Sequence, residues 1–190
     1  MLWTGTRPSS PALATDTQIM STLRLTTYDE QAYWQDLLDA CTEYAENALD
    51  TSLLLRTITA TYYRNDPVPL GWVGYDNYTP HSIHLPRGPV QSVTSVTDAN
   101  SNTITYELER SGLTDKVILT EGYTAPLVIV YQAGYGSTVN NTPADIRMAI
   151  RTHVATLFEQ RASTDEKNIL AVPHSLEIFY QQRKRKAYVG

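Results

Sequence analysis

The sequence predicts an α+β protein: a bundle of amphipathic helices from the N-terminal and C-terminal parts of the chain, with a small antiparallel β lobe inserted between them. Three observations carry this. From Tyr33 to Leu49 apolar side chains recur every three or four positions, the helical period. From Leu53 to Gly136 short β-branched runs alternate with Pro, Gly and Asn. From Ile146 to Phe158 the helical period returns behind Thr142-Pro143, a helix start signal. Helices, then strands, then helices is a segregated order, not a βαβ alternation.

A length of 190 residues fits one domain with extensions. Residues 1–14 read as an N-terminal arm, rich in Ser, Thr and Pro, that orders only against a partner. Residues 15–182 read as a single domain, with a helical core over 15–52 and 142–182 and a β lobe over 53–136. Residues 183–190 read as a basic tail.

Taken in order, Thr15–Leu23 is a short helix of poor propensity. Thr27 is expected to cap the next helix, with Asp29 and Glu30 in its first turn where the dipole favours anions. The apolar stripe of that helix includes Trp34, Leu38 and Cys41. Its other face carries Asp36, Asp39, Glu43 and Glu46, and no Lys or Arg occurs between Thr26 and Thr51. An acidic face is ordinarily just solvated. One with no cation among it gains no ion pairs, which suggests a neighbouring subunit or a wall facing something negative.

Leu53–Tyr63 reads as a strand. The loop over 65–80 is long and holds Trp72, Tyr75 and Tyr78, so it is expected to bind a partner. Ser82 to Leu85 begins a strand that breaks at Pro86 and Pro89. It resumes with strict alternation, Val90, Ser92, Thr94 and Val96 pointing one way, and Thr103–Leu108 is expected to return beside it as a hairpin. Lys116–Thr120 and Leu127–Tyr131 are expected to pair with each other. Thr142 and Asp145 have capping-box spacing, and Pro173 opens a last helix running to about Lys184.

Composition limits the chemistry. One cysteine, Cys41, allows no internal disulfide. No apolar run reaches the ~20 residues of a membrane span, and no basic-then-apolar leader opens the sequence. The chain is expected to work in the cytoplasm or in something assembled there. Gly134-x-Gly136 lacks the third glycine of a dinucleotide loop. His81 and His84 have no further ligand nearby, and His153 lies on an apolar helix face. No catalytic constellation, cofactor or metal is expected.

The net charge of −5 is unevenly placed. Met1–Leu53 holds two basic and eight acidic residues, whereas Ala144–Gly190 holds eight basic and five acidic ones. Such ends suit subunits that meet head to tail. Thirteen tyrosines against two phenylalanines suit ordinary rim positions or interfaces.

Four stretches together resemble the head–tail connector (adaptor) proteins of long-tailed double-stranded DNA bacteriophages. They are Leu37–Asn47, Ile83–Val96, Val130–Gly136 and Thr142–Ile150 continuing to Arg161. Their order and spacing carry the resemblance, which covers roughly Asp16 to Tyr180. It implies a structural homo-oligomer, a ring of about twelve copies below the portal protein in the virion neck, assembled in the host cytoplasm. Such a ring would extend the DNA channel, let packaged DNA pass without specific binding, and receive the downstream neck or tail protein. The acidic face would line the channel or a subunit interface. The tail would bind the portal through Arg183, Lys184, Arg185, Lys186, Tyr188 and Val189. Four adjacent cations have no local neutralising partner in the sequence, so this tail is expected to be mobile in a free subunit. The alternatives are another neck component, such as a stopper or tail-completion protein, a nucleic-acid-binding module using the basic tail, or a small enzyme using loop 65–80 as a lid.

Overall fold

In the computed structural model, the residues described are 2–5, 14, 16–63, 81–110, 114–160 and 173–185. They divide into two compact units. One unit holds four helices and the other holds seven strands, so the fold is α+β with segregated elements.

The helical unit contains α1 (Asp16–Leu23), α2 (Gln31–Leu49), α3 (Ala144–Gln160) and α4 (His174–Arg183). Helix α2 packs on α3 and α4, and α1 packs on α3. The 3.6-residue period explains which residues are buried: Trp34, Leu38, Cys41, Ala45 and Leu49 from α2, and Ile146, Ile150, Val154 and Phe158 from α3. Full burial of each large aliphatic side chain stabilises by about 1.5–3 kcal/mol.

One helix start differs from expectation. Helix α2 begins at Gln31, one turn after the expected cap, because the Thr27 hydroxyl donates to the Asp29 carboxylate. Ahead of α3, Thr142 N–H donates to the Val139 carbonyl of a 3-10 turn (Val139–Asn141), and Asp145 Oδ1 accepts from Ile146 N–H at 2.9 Å. Helix α1 closes with Arg24 at φ 56° and Leu25 N–H donating to Met20 carbonyl, a Schellman-type end without glycine.

The β unit contains β1 (Leu2–Thr4), β2 (Arg56–Tyr62), β3 (His81–Leu85), β4 (Val90–Thr97), β5 (Tyr106–Arg110), β6 (Asp115–Leu119) and β7 (Leu127–Ala133). They form two antiparallel sheets, ordered β1-β2-β7-β4 and β3-β6-β5. Both sheets contribute to one core that includes Ile58, Val96, Val117, Leu119, Ile129 and Tyr131.

This pairing corrects four expectations. Strand β4 pairs with β7 and not with β5; Thr97 and Thr103 share only an isolated bridge. The cause is the Asp98 side chain, whose Oδ1 accepts from Asn100 and Asn102 N–H and turns the chain toward the other sheet. Strand β6 pairs with β3 and β5, so the expected pair of β6 with β7 does not form. Strict alternation in β4 fails because register shifts fall between Val90 and Ser92 and between Val93 and Ser95. Val90 and Val96 are buried, Ser92 and Thr94 are exposed, and Val93 packs on the core. The N-terminal segment, expected as an unpaired arm, contributes β1, with Trp3 opposite Ala60 of β2.

The free edge of β4 is covered by side chains of β5. The Tyr106 hydroxyl donates to Val93 carbonyl at 3.1 Å, and the Arg110 guanidinium donates to Gln91 carbonyl. These contacts satisfy carbonyls that would otherwise template another strand.

Candidate functional surfaces

The break at Pro86–Pro89 is the crossover from β3 in one sheet to β4 in the other. Its backbone is held from several sides within the β unit. Tyr131 donates its hydroxyl to Pro86 carbonyl at 2.7 Å. Ser52 N–H reaches the Arg87 and Gly88 carbonyls, both at 3.1 Å, and Gly134 N–H reaches Pro89 carbonyl at 2.9 Å. Arg87 sits at φ 58°. Its guanidinium lies over the Trp3 ring at 4.8 Å and 3.9 Å from the Asp50 carboxylate.

The C-terminal basic run is placed differently from the expectation. Arg183 ends α4 and pairs with Asp145, both partly exposed. Such a pair contributes only about 0–1 kcal/mol. Lys184 is exposed and serves as the helix C-cap. Arg185 donates from Nη2 to Asp115 Oδ2 at 2.9 Å, with side-chain exposures of 12% and 3%. Two of the four cations therefore have carboxylate partners in the same chain. Those partners lie 38 and 70 residues away, beyond any local pattern. Lys186, Tyr188 and Val189 lie outside the described residues.

The acidic face of α2 is partly as expected. Asp36, Asp39 and Glu43 are exposed, but Glu46 is only 4% exposed. Glu46 follows Thr42 by one turn, and Thr42 is buried with its hydroxyl donating to Leu38 carbonyl at 2.6 Å. Glu46 thus belongs to the buried flank, and the exposed acidic face has three carboxylates. Trp72, Tyr75 and Tyr78 of the aromatic loop lie outside the described residues.

The remaining candidates have structural explanations. Gly134 at φ 131° passes close to the Leu54 backbone, and a Cβ on Gly136 would meet the Asn141 side chain, so neither glycine needs a phosphate to explain it. Burial pushes the Cys41 thiol up to about 12. Burial lowers His153, and burial with the neighbouring Lys116 charge lowers His84. Among the described residues, no three His, Cys, Asp or Glu side chains gather as a metal site, and no helix is long and apolar enough to cross a membrane.

Sequence reasoning missed Asp115 and Gly88. The available signals were faint: a glycine between prolines, and an acid opening an apolar strand, Asp115-Lys116-Val117-Ile118.

No protein-family model matches the sequence, and no curated protein matches it. Solved structures do match over the whole length. A chain from the neck of an empty GTA particle, computed with C6 symmetry, has a TM-score of 0.73 at 18% identity, covering 100% of this chain and 98% of that one. A chain from the neck of a native GTA particle, computed with C12 symmetry, has a TM-score of 0.70 at 15% identity, with the same coverage. A chain from the virion of the native gene transfer agent (GTA) particle has a TM-score of 0.69 at 18% identity, again with the same coverage. The class defined is one of fold: this chain has the α+β fold of chains found in those neck and virion structures. That agrees with the resemblance to head–tail connectors carried by the sequence.

Proposed function

We propose that this protein is a structural subunit of a virion neck, an adaptor that forms a ring of about twelve copies between the portal and the next neck or tail component. The observation that carries the reading is the full-length likeness to chains from neck structures, one of them computed with C12 symmetry. A structural role is favoured over catalysis because the neighbours are particle components. Charge layout supports a ring. An acidic N-terminal part and a basic C-terminal part suit heterologous contacts that close. The exposed carboxylates Asp36, Asp39 and Glu43 suit a channel through which DNA slides without sticking.

The portal contact is assigned to the chain beyond α4, with Lys184, Lys186, Tyr188 and Val189 as its contacting residues. Avidity across the ring lets weak individual contacts hold the assembly. Trp72, Tyr75 and Tyr78 are assigned to a contact with a second chain. Such aromatics fill partner pockets efficiently.

Native mass measurement tests the reading. The full chain is mixed with a DNA-free portal ring and weighed with and without it. The expected product is a portal carrying about twelve copies of the chain. A chain that ignores the portal overturns the adaptor reading, and one that binds only the assembled tail end identifies a stopper or completion protein instead.

A further inference from the structure

Asp115 opens the central strand of the three-stranded sheet, with Leu85 and Arg110 opposite it on either side. Its Oδ2 accepts from Val90 N–H at 2.7 Å and from Arg185 Nη2 at 2.9 Å. Gly88 forms the adjoining wall. A Cβ there would lie 2.5 Å from Arg185 Cζ and 2.7 Å from Asp115 Oδ2. Only the absence of a side chain at Gly88 lets the guanidinium reach the carboxylate. Arg185 itself follows α4 by two residues, past a Lys184 that has already left helical geometry at ψ 130°.

We propose that Asp115 and Gly88 form a socket for the Arg185 guanidinium, and that the socket fixes the point from which the portal-directed segment leaves the subunit. The inference rests on the adaptor reading for its functional half. Asp115 is then a positioning residue for portal docking, not a portal contact. A charge pair this deeply buried holds firmly, because separating it leaves an uncompensated charge. A segment rooted in a rigid sheet loses less freedom on docking than one swinging from a helix end. The burial of Arg185 also divides the basic run, with Lys184 before the socketed residue and Lys186 after it.

The test uses the full chain with Asp115→Asn, and separately with Gly88→Ala. Both leave the tail sequence intact, so any change reports position and not tail chemistry. The first readout is tryptic cleavage after Arg185, whose buried side chain cannot enter the protease pocket while socketed. Cleavage there is expected to rise at least about tenfold in both variants, while cleavage after Arg56, buried in β2, stays slow. A variant also cut rapidly after Arg56 has lost its fold, and the other variant then decides. The second readout is affinity for a DNA-free portal ring, expected to fall about tenfold. Unchanged cleavage after Arg185 overturns the socket. Faster cleavage with unchanged affinity overturns the positioning role. If the unaltered chain does not bind the portal, the adaptor reading falls and the positioning role with it, while the cleavage readout still judges the socket.

Discussion

The Tyr44 ring stands edge-on to His153 inside the helical unit, with centroids 5.3 Å apart and planes at 76°. Tyr180 closes on the same Tyr44 ring at 5.8 Å. His153 is 3% exposed, and its Nδ1 has no hydrogen-bond partner. Burial lowers its pKa below the usual 6.5. Burial raises both the Cys41 thiol and the Tyr180 hydroxyl, so both stay neutral.

The sign follows from linkage. The unfolded chain takes up a proton at His153 below pH 6.5, and the folded chain refuses it down to its lower pKa. Stability is therefore full above pH 6.5 and falls as pH drops through that window, by up to about 1.4 kcal/mol per pH unit. His84, also lowered, adds loss of the same sign. Urea midpoints measured at pH 7.5 and 5.5 in His153→Phe should differ less than those of the parent chain. An unchanged difference would remove His153 as the cause.

Gly134→Ala should be strongly destabilising. Its φ of 131° is costly for any side chain, and the new Cβ would sit 2.5 Å from Leu54 carbonyl carbon and 2.7 Å from Leu55 N. Backbone cannot yield as a side-chain tip can, so the expected loss is roughly 3 kcal/mol or more. Gly122→Ala is the control. Nothing lies within 4 Å of its Cβ, and a change within about 0.5 kcal/mol is expected by chemical denaturation.

Tyr131→Phe should cost about 1–2 kcal/mol, by the loss of one hydroxyl whose partner is Pro86 carbonyl. The Phe ring keeps the packing of a fully buried side chain. A reduced denaturation midpoint with an unchanged slope is the expected signature.

Helices were readable from sequence because one face of each determines its own fate. The stripe Trp34, Leu38, Cys41, Ala45 and Leu49 is buried as its spacing requires. Strand existence was readable for the same local reason, but strand partners were not. A period of two says which residues face the core, and both sheets here share one core, so Val117 of β6 and Ile129 of β7 satisfy the same pattern from different sheets. The turn at Asp98 decided the matter through a side chain that accepts two N–H groups, and a hairpin and a crossover read alike in composition. The candidate surfaces divide similarly. Asp36, Asp39 and Glu43 follow from helical period, whereas Glu46, at the border of the stripe, is decided by packing. The Asp115–Arg185 socket spans 70 residues and is visible only in three dimensions.

Asp36, Asp39 and Glu43 stand three and four residues apart, so each repels its neighbours mildly and no cation on α2 relieves it. Replacing all three with Lys should leave subunit stability within about 1 kcal/mol of the parent, since exposed charges contribute little. Assembly separates the remaining possibilities. If the face lines the channel, portal-bound rings of the triple variant form with unchanged mass but retain DNA. That retention weakens steeply with salt, because each phosphate contact releases counterions. The parent rings should show no such retention, as an acidic wall repels the phosphate backbone. Failure of the triple variant to form rings would instead place the face against a neighbouring subunit. Rings that form normally and ignore DNA at low salt would put the face on the outer wall and remove it from the proposed channel.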